Sequence, residues 1–256
     1  MSWDAVDPSI LLPAFGAGLL VVATHVPLGR EVLARGIIFI DLAIAQIAGL
    51  GAIAANQVGF ELGGLGTELG AGVAALLGAL LLTWVERILP DILEALIGVL
   101  FALAATGGIL LLANDPHGGE ELKDLLVGQI LWVSPRSLIP IAVLYALVLL
   151  LWFGRAQRGG RAAFYLLFAV TVTASVQLVG VYLVFATLIV PAVATRGLRP
   201  RAGLAAGIAL GIAGYAAGLV LSALYDLPSG ALIVWALAGI AAVVLAVRRG
   251  AAPRPA

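Results

Sequence analysis

Few side chains in this sequence can do chemistry, and their positions narrow what that chemistry is. The second apolar run, residues 37–51, contains Asp41 and Gln46. A carboxylate one turn inside an apolar span is costly and tends to face a cavity or a partner. At five residues apart, Asp41 and Gln46 are about 140° apart around a helix and do not share a face. Gln46 does share one with Leu42, Gly49 and Ile53. The pair suits polar points on a translocation path. The plainer roles are a hydrogen-bonded interfacial carboxylate for Asp41 and an interhelical hydrogen bond for Gln46. A third polar point, Gln177, follows Thr171, Thr173 and Ser175 and precedes Gly180. The hydroxyls can bond back to their own helix. Gln177 stands beside an expected break, where a path or hinge role fits.

The most polar segment is 114–124, with His117, Glu120 and Glu121. Their spacing could place an imidazole and carboxylates on one helical turn, enough for a weak metal site. A solvated helix start is the preferred reading, because Pro, Gly and acids gather at helix N-termini. His25, beside Pro27 and Gly29, is expected as a cap or interfacial residue at a helix end. Glu94 suits the first turn of the fourth span, and Asp226 a tight turn before the last. The sequence has no cysteine, which excludes disulfides and thiolate sites. No nucleophile–base pair, zinc-protease motif or Walker-type Gly-Lys loop occurs, so neither catalysis nor a resident cofactor is expected.

The elements that must position these residues are membrane helices. Of 256 residues, 62% are apolar and 11% charged, with net charge zero, and mean hydropathy is +1.15. This excludes disorder, a nucleic-acid module and an ordinary soluble enzyme. Apolar segments fall near 10–26, 36–58, 66–85, 92–113, 137–153, 162–195, 202–225 and 229–247. The sixth would be about 51 Å long as one helix, against a hydrocarbon core of roughly 30 Å. Gln177, Gly180 and Pro191 interrupt it, and it is expected to form one span and a second, short crossing helix. The first residues carry Asp4 and Asp7 and no Lys or Arg, so the first run is expected as a retained span and not a signal peptide. Nine crossings with the N-terminus outside put 12 of the 14 basic residues on the inside, leaving only Lys123 and Arg136 outside. The positive-inside rule favours that arrangement. The expected fold is an all-α polytopic membrane protein of eight to nine transmembrane helices, nine preferred, N-out and C-in. Residues 1–256 form a single transmembrane domain. Small residues such as Ala45, Gly49 and Ala52 are expected at a dimer contact near the central path.

Four stretches, in order along nearly the whole chain, resemble the permease subunit of metal-ion ABC importers of the zinc/manganese type. They are 27–51, 126–134 (Leu-Val-Gly-Gln-Ile-Leu-Trp-Val-Ser), 177–195 with its Val-Pro-Ala turn, and 222–231 with Tyr-Asp-Leu-Pro-Ser-Gly. The resemblance implies a permease with alternating access, paired with a second permease copy, cytoplasmic ABC ATPase subunits and an extracytoplasmic metal-binding protein. It implies membrane lipid and no nucleic acid as surroundings, and a bacterial inner membrane as location. ATP hydrolysis would reside on the partner.

Two departures stand out. The family often carries Asp-x-x-x-His on its second helix; aligned through Gly51, those positions are Leu42 and Gln46, with Asp41 displaced by one. The cargo is therefore expected to be a divalent ion of that type or a metal chelate. The family's longer acidic coupling segment is here only residues 154–161, with Arg155, Arg158 and Arg161 as the residues expected to meet the ATPase. This short loop leaves an alternative, a secondary transporter or channel that needs no ATPase. A third class is an assembly subunit that moves nothing.

Overall fold

In a hydrocarbon surrounding, backbone N–H and C=O groups must be satisfied within each segment, and the chain meets this demand with helices throughout. The computed structural model describes residues 7–60, 64–156 and 160–251. Ten α-helices follow in order: α1 Pro8–Arg35, α2 Ile40–Gln57, α3 Leu65–Ile88, α4 Leu93–Leu112, α5 Gly118–Val127, α6 Pro135–Leu151, α7 Gly160–Val179, α8 Val181–Ala194, α9 Pro200–Tyr225 and α10 Ser229–Ala251. Their starts follow local rules. Asp7 accepts the Ser9 N–H at 2.8 Å before Pro8, and Ser134 accepts the Ser137 N–H before Pro135. Each pairs an N-cap acceptor with a proline whose missing N–H costs nothing in the first turn.

Eight helices are long and apolar enough to cross a membrane: all but α5 and α8. The long sixth run divides where expected, at Gly180, whose φ of 81° ends α7 and starts α8. At 14 residues, α8 is about 21 Å long, short of the roughly 30 Å core.

Side chains and caps tie the helix ends into two layers. At one end Arg30 donates to Thr195 Oγ1 (3.3 Å), and Arg248 donates to the carbonyls of Ala194 (2.6 Å) and Arg196 (2.8 Å). Arg161 meets Glu86 at 3.4 Å, and the Phe39 N–H donates to Glu94. This is the basic end, where α1, α3, α6, α8 and α10 finish and α2, α4, α7 and α9 begin. Glu68, the acids of α5 and Asp226 mark the opposite, acidic end. Helix α8 therefore returns to the basic end although it is short.

Small residues set the packing. Gly207 and Gly211 of α9 lie against Val26 and Val22 of α1, and Tyr215 lies on Gly18. A turn further, Gly214 and Gly218 receive Leu237 and Ile233 of α10. Such surfaces let helices approach closely where lipid supplies no hydrophobic drive between them. Leu103, Leu110 and Trp235 stay exposed, as lipid-facing side chains do.

Two expectations change. The first span does not end near residue 26: α1 runs through Pro27 to Arg35, and His25 is fully buried in its interior, not at an end. Gly29 packs directly on the Leu188 carbonyl of α8, so tertiary contact holds the helix past its proline. Ala45 and Gly49 are not free for a partner copy either. Ala45 is 1% exposed, and Gly49 faces Leu125 of the same chain, whose Cδ2 is 2.6 Å from where a Cβ would stand.

Candidate translocation site

Helix α5 does not cross. It enters from the acidic end and reaches the middle of α2, where Leu125 fills the space over Gly49. The chain then reverses at Gly128, which touches the break between α7 and α8. Gly128 has φ 71° and Gly180 φ 81°, and a Cβ on either would collide with the backbone of the other strand of chain. Two interrupted segments thus meet backbone to backbone. Non-helical backbone at this depth is tolerated only where protein or a water-filled cavity surrounds it. In transporters, discontinuous helices mark the binding region.

Above this crossing lie two pockets of about 390 and 540 Å³ that share Glu68, Gln129 and Gln177. The first also takes Glu121 and Asp124 from α5, Thr67 from α3, and Gly49 and Ile53 from α2. Gln129 Nε2 donates to Asp124 Oδ2 at 2.7 Å and orients that carboxylate. Partial burial, and then the nearby Asp115, raise the Glu121 pKa above its ordinary value of 4.5. The polar groups are carboxylate, amide and hydroxyl oxygens, set among apolar walls that include Ile53, Leu125, Val176 and Leu144. Among the described residues no three of His, Cys, Asp or Glu converge closely enough to grip a metal. The chemistry available is that of a vestibule for a hydrated cation.

The structure distributes the residues singled out by sequence along the bundle. Gln177 is exposed at the end of α7 and lines both pockets. Gln46 is 5% exposed and lies one turn deeper than Gly49 on the stripe that continues to Ile53, so it stands beneath the pocket floor. Glu121 joins the pocket; His117 and Glu120 do not line it. The His117 N–H donates to Asp115 Oδ1 at 2.8 Å, and its carbonyl accepts from Glu120 and Glu121, which makes it the opening residue of α5.

Asp41 is at the basic end and 1% exposed, and among the described residues no other side chain hydrogen-bonds its carboxylate. Glu94 opens α4 at the same end, one oxygen accepting from Phe39 N–H and the other unpartnered. Arg161 reaches Glu86 and is 57% exposed. The side chain of Arg155, and Arg158 as a whole, lie outside the described residues.

Several polar groups were not singled out as path residues by sequence. Glu68 stands in the first turn of α3, and Asp124 and Gln129 reach the pocket only because α5 dips. His25 Nδ1 lies 3.1 Å from the Val21 carbonyl and 3.0 Å from Thr24 Oγ1, while its Nε2 has no partner among the described residues. Two buried hydroxyl bridges join helices: Tyr145 of α6 to Ser175 of α7, and Thr187 of α8 to Tyr215 of α9 at 2.9 Å. A lone tyrosine in an apolar run carries no sequence signal for such a bond.

Comparison with known proteins agrees with this architecture. The chain is 28% identical over 247 residues to the manganese transport system membrane protein MntC of Halalkalibacterium halodurans, covering 88% of this chain and 83% of that protein. It is 29% identical over 269 residues to an uncharacterised membrane protein of Synechocystis sp., covering 96% and 93%. Among solved structures, PsaBC from Streptococcus pneumoniae in complex with Fab superposes with a TM-score of 0.68 at 22% identity, over 92% of this chain and 89% of that one. An inward-facing ABC transporter, described as of the metal-chelate type, gives 0.69 at 18% identity, over 92% and 85%. At these identities the structural likenesses carry the fold. The family comparison carries more: the ABC 3 transport family, described by that name, matches residues 7–158 and 160–248, so this chain belongs to the ABC 3 transport family.

Proposed function

We propose that the chain is the membrane permease subunit of an ABC importer for a divalent metal ion of the zinc/manganese type, or a chelate of one. The observation that carries this reading is the oxygen-lined vestibule of Glu68, Glu121, Asp124, Gln129 and Gln177 above the Gly49–Gln46 stripe. Family membership supports the transport role, and the manganese transport relative supports the cargo. Carboxylate and amide donors without thiolate or imidazole favour a hard ion, manganese over zinc. Gln46 offers one amide oxygen beyond the crossing, a weak ligand that lets an ion leave. Asp41 is the next acidic group toward the basic end.

The partners are an ABC ATPase, an extracytoplasmic metal-binding protein and a second permease copy, in a bacterial inner membrane. ATP hydrolysis belongs to the ATPase. The basic end faces the cytoplasm by the positive-inside rule, and Arg155, Arg158 and Arg161 meet the ATPase there. Reconstitution with the ATPase and binding protein in proteoliposomes tests the reading. ATP-dependent manganese uptake that falls at least tenfold in Glu68→Gln/Asp124→Asn is expected. Uptake without any ATPase would establish the secondary-transporter alternative, and no uptake of manganese, zinc or their chelates would remove the metal cargo.

A further inference from the structure

The basic end contains a second built feature. A pocket of about 650 Å³ opens between the end of α1, the residues after α6 and the start of α9. Its walls include Pro27, Trp152, Phe153 and Leu204, with Arg30 and Arg201 among them. A smaller pocket of about 280 Å³ adjoins it through Arg30 and adds Arg196. Among the described residues the only acid lining either pocket is Glu31, which is engaged by Arg35 at 2.8 Å. Among the described residues, Arg30, Arg196 and Arg201 have no carboxylate within 4.0 Å.

Arg30 is held in place. Its side chain is partly buried, its Nη1 donates to Thr195 Oγ1, and its guanidinium lies in a notch left by Gly203, where a Cβ would strike it. Arg248 holds the neighbouring turn by binding the Ala194 and Arg196 carbonyls. A positioned cation with unused donors therefore faces a pocket whose other walls hold Arg201, Glu31 paired with Arg35, and the apolar Pro27, Trp152, Phe153 and Leu204. An arginine fork matches phosphate oxygens bidentately. The apolar walls match an acyl chain or glycerol backbone, and basic pockets between helices near the cytoplasmic face bind anionic headgroups.

We infer that this Arg30–Arg201 pocket is a binding site for the phosphate of an anionic phospholipid, whose chain lies against Trp152, Phe153 and Leu204. A free phosphate carries the same anion without the apolar body. An acidic face of the ATPase would address the exposed Arg196 and Arg201; Arg30, partly buried and held by Thr195, is met by a group small enough to enter the pocket. The inference rests on the span assignment and is independent of the cargo.

The test is thermal unfolding of the purified full chain in detergent, titrated with short-chain phosphatidylglycerol, phosphatidylcholine of the same chain length, or inorganic phosphate. Phosphatidylglycerol is expected to raise Tm saturably, and the other two to leave it unchanged. The half-saturating concentration should rise at least tenfold in Arg201→Gln and in Arg30→Gln, and recover partly in Arg30→Lys. Arg201 is exposed, so its variant keeps the test open if Arg30→Gln fails to fold. Equal shifts with phosphatidylcholine would reduce the pocket to an apolar filler, and equal shifts with phosphate would make it a free-anion site. An unchanged phosphatidylglycerol response in Arg201→Gln and Arg30→Gln would overturn the lipid site, and loss of ATPase copurification in the same variants would make the pocket a docking surface. Transport failing while the lipid response persists would affect the cargo reading alone.

Discussion

Gln46 is buried without forming a side-chain hydrogen bond to another described residue. Its truncation therefore loses packing contacts and none of the about 0.6 kcal/mol that an interhelical hydrogen bond averages in a membrane protein. Gln46→Ala is expected to reach the membrane at near wild-type abundance while transport falls several-fold. Parallel losses in immunoblot and uptake would make it a packing residue. Glu121 gives the pH prediction. Its pKa is raised in the fold by burial and by Asp115, so the fold favours the protonated form. That contribution is complete below the ordinary glutamate value and is lost as pH rises through the raised one. Without added cation, Glu121→Gln should match the wild type in acid and be at least as stable above that range, read as Tm against pH. A cation in the vestibule opposes the trend, so manganese should stabilise the wild type more at neutral than at acid pH. Equal manganese shifts at both pH values would remove Glu121 from the vestibule.

At the scale of elements, the crossing of α5 with the α7–α8 break is the most constrained part of the chain. Gly128→Ala must place a Cβ into the Val179–Gly180 backbone at φ 71° and ψ 172°. The backbone conformation alone costs about 1–3 kcal/mol in a non-glycine residue, and the collision adds to it. Loss of the folded, monodisperse peak in size-exclusion chromatography, or a large drop in Tm, is expected. Gly119→Ala, also in α5, meets nothing within 4 Å and should be neutral or stabilise the helix by up to about 1 kcal/mol. Similar behaviour of the two variants would mean that α5 does not lodge against the break.

For the whole molecule, the separation of charge into a basic and an acidic end sets the orientation. The sequence has no cysteine, so single cysteines report cleanly. Cysteine at position 199 should resist an impermeant maleimide in intact cells and react in inverted vesicles, while one at position 120 should do the reverse. Labelling at 199 from outside would invert the protein. Helix α8 is part of this arithmetic: removing its return to the basic end would place α9 and α10 the wrong way round, against Arg248 at the Ala194 carbonyl.

Composition and run length by themselves determined an all-α membrane fold, the break at Gly180 and the clustering of basic residues, because each depends on local hydrophobicity and backbone preference. Gln46 was legible as a path candidate because its stripe with Gly49 and Ile53 follows from helical period alone. The dip of α5 was not legible. Its ten residues interleave Glu121 and Asp124 with Leu122, Leu125 and Leu126, as an amphipathic surface helix would, and only the space over Gly49 takes Leu125 inward. His25 was misjudged because Pro27 marks a helix end in isolation, whereas packing of Gly29 on α8 carries the helix through. The vestibule, the hydroxyl bridges and the Arg30 pocket join residues distant in sequence. Tertiary structure decided them, since helix packing in a bilayer depends on shape complementarity between faces, which no single segment encodes.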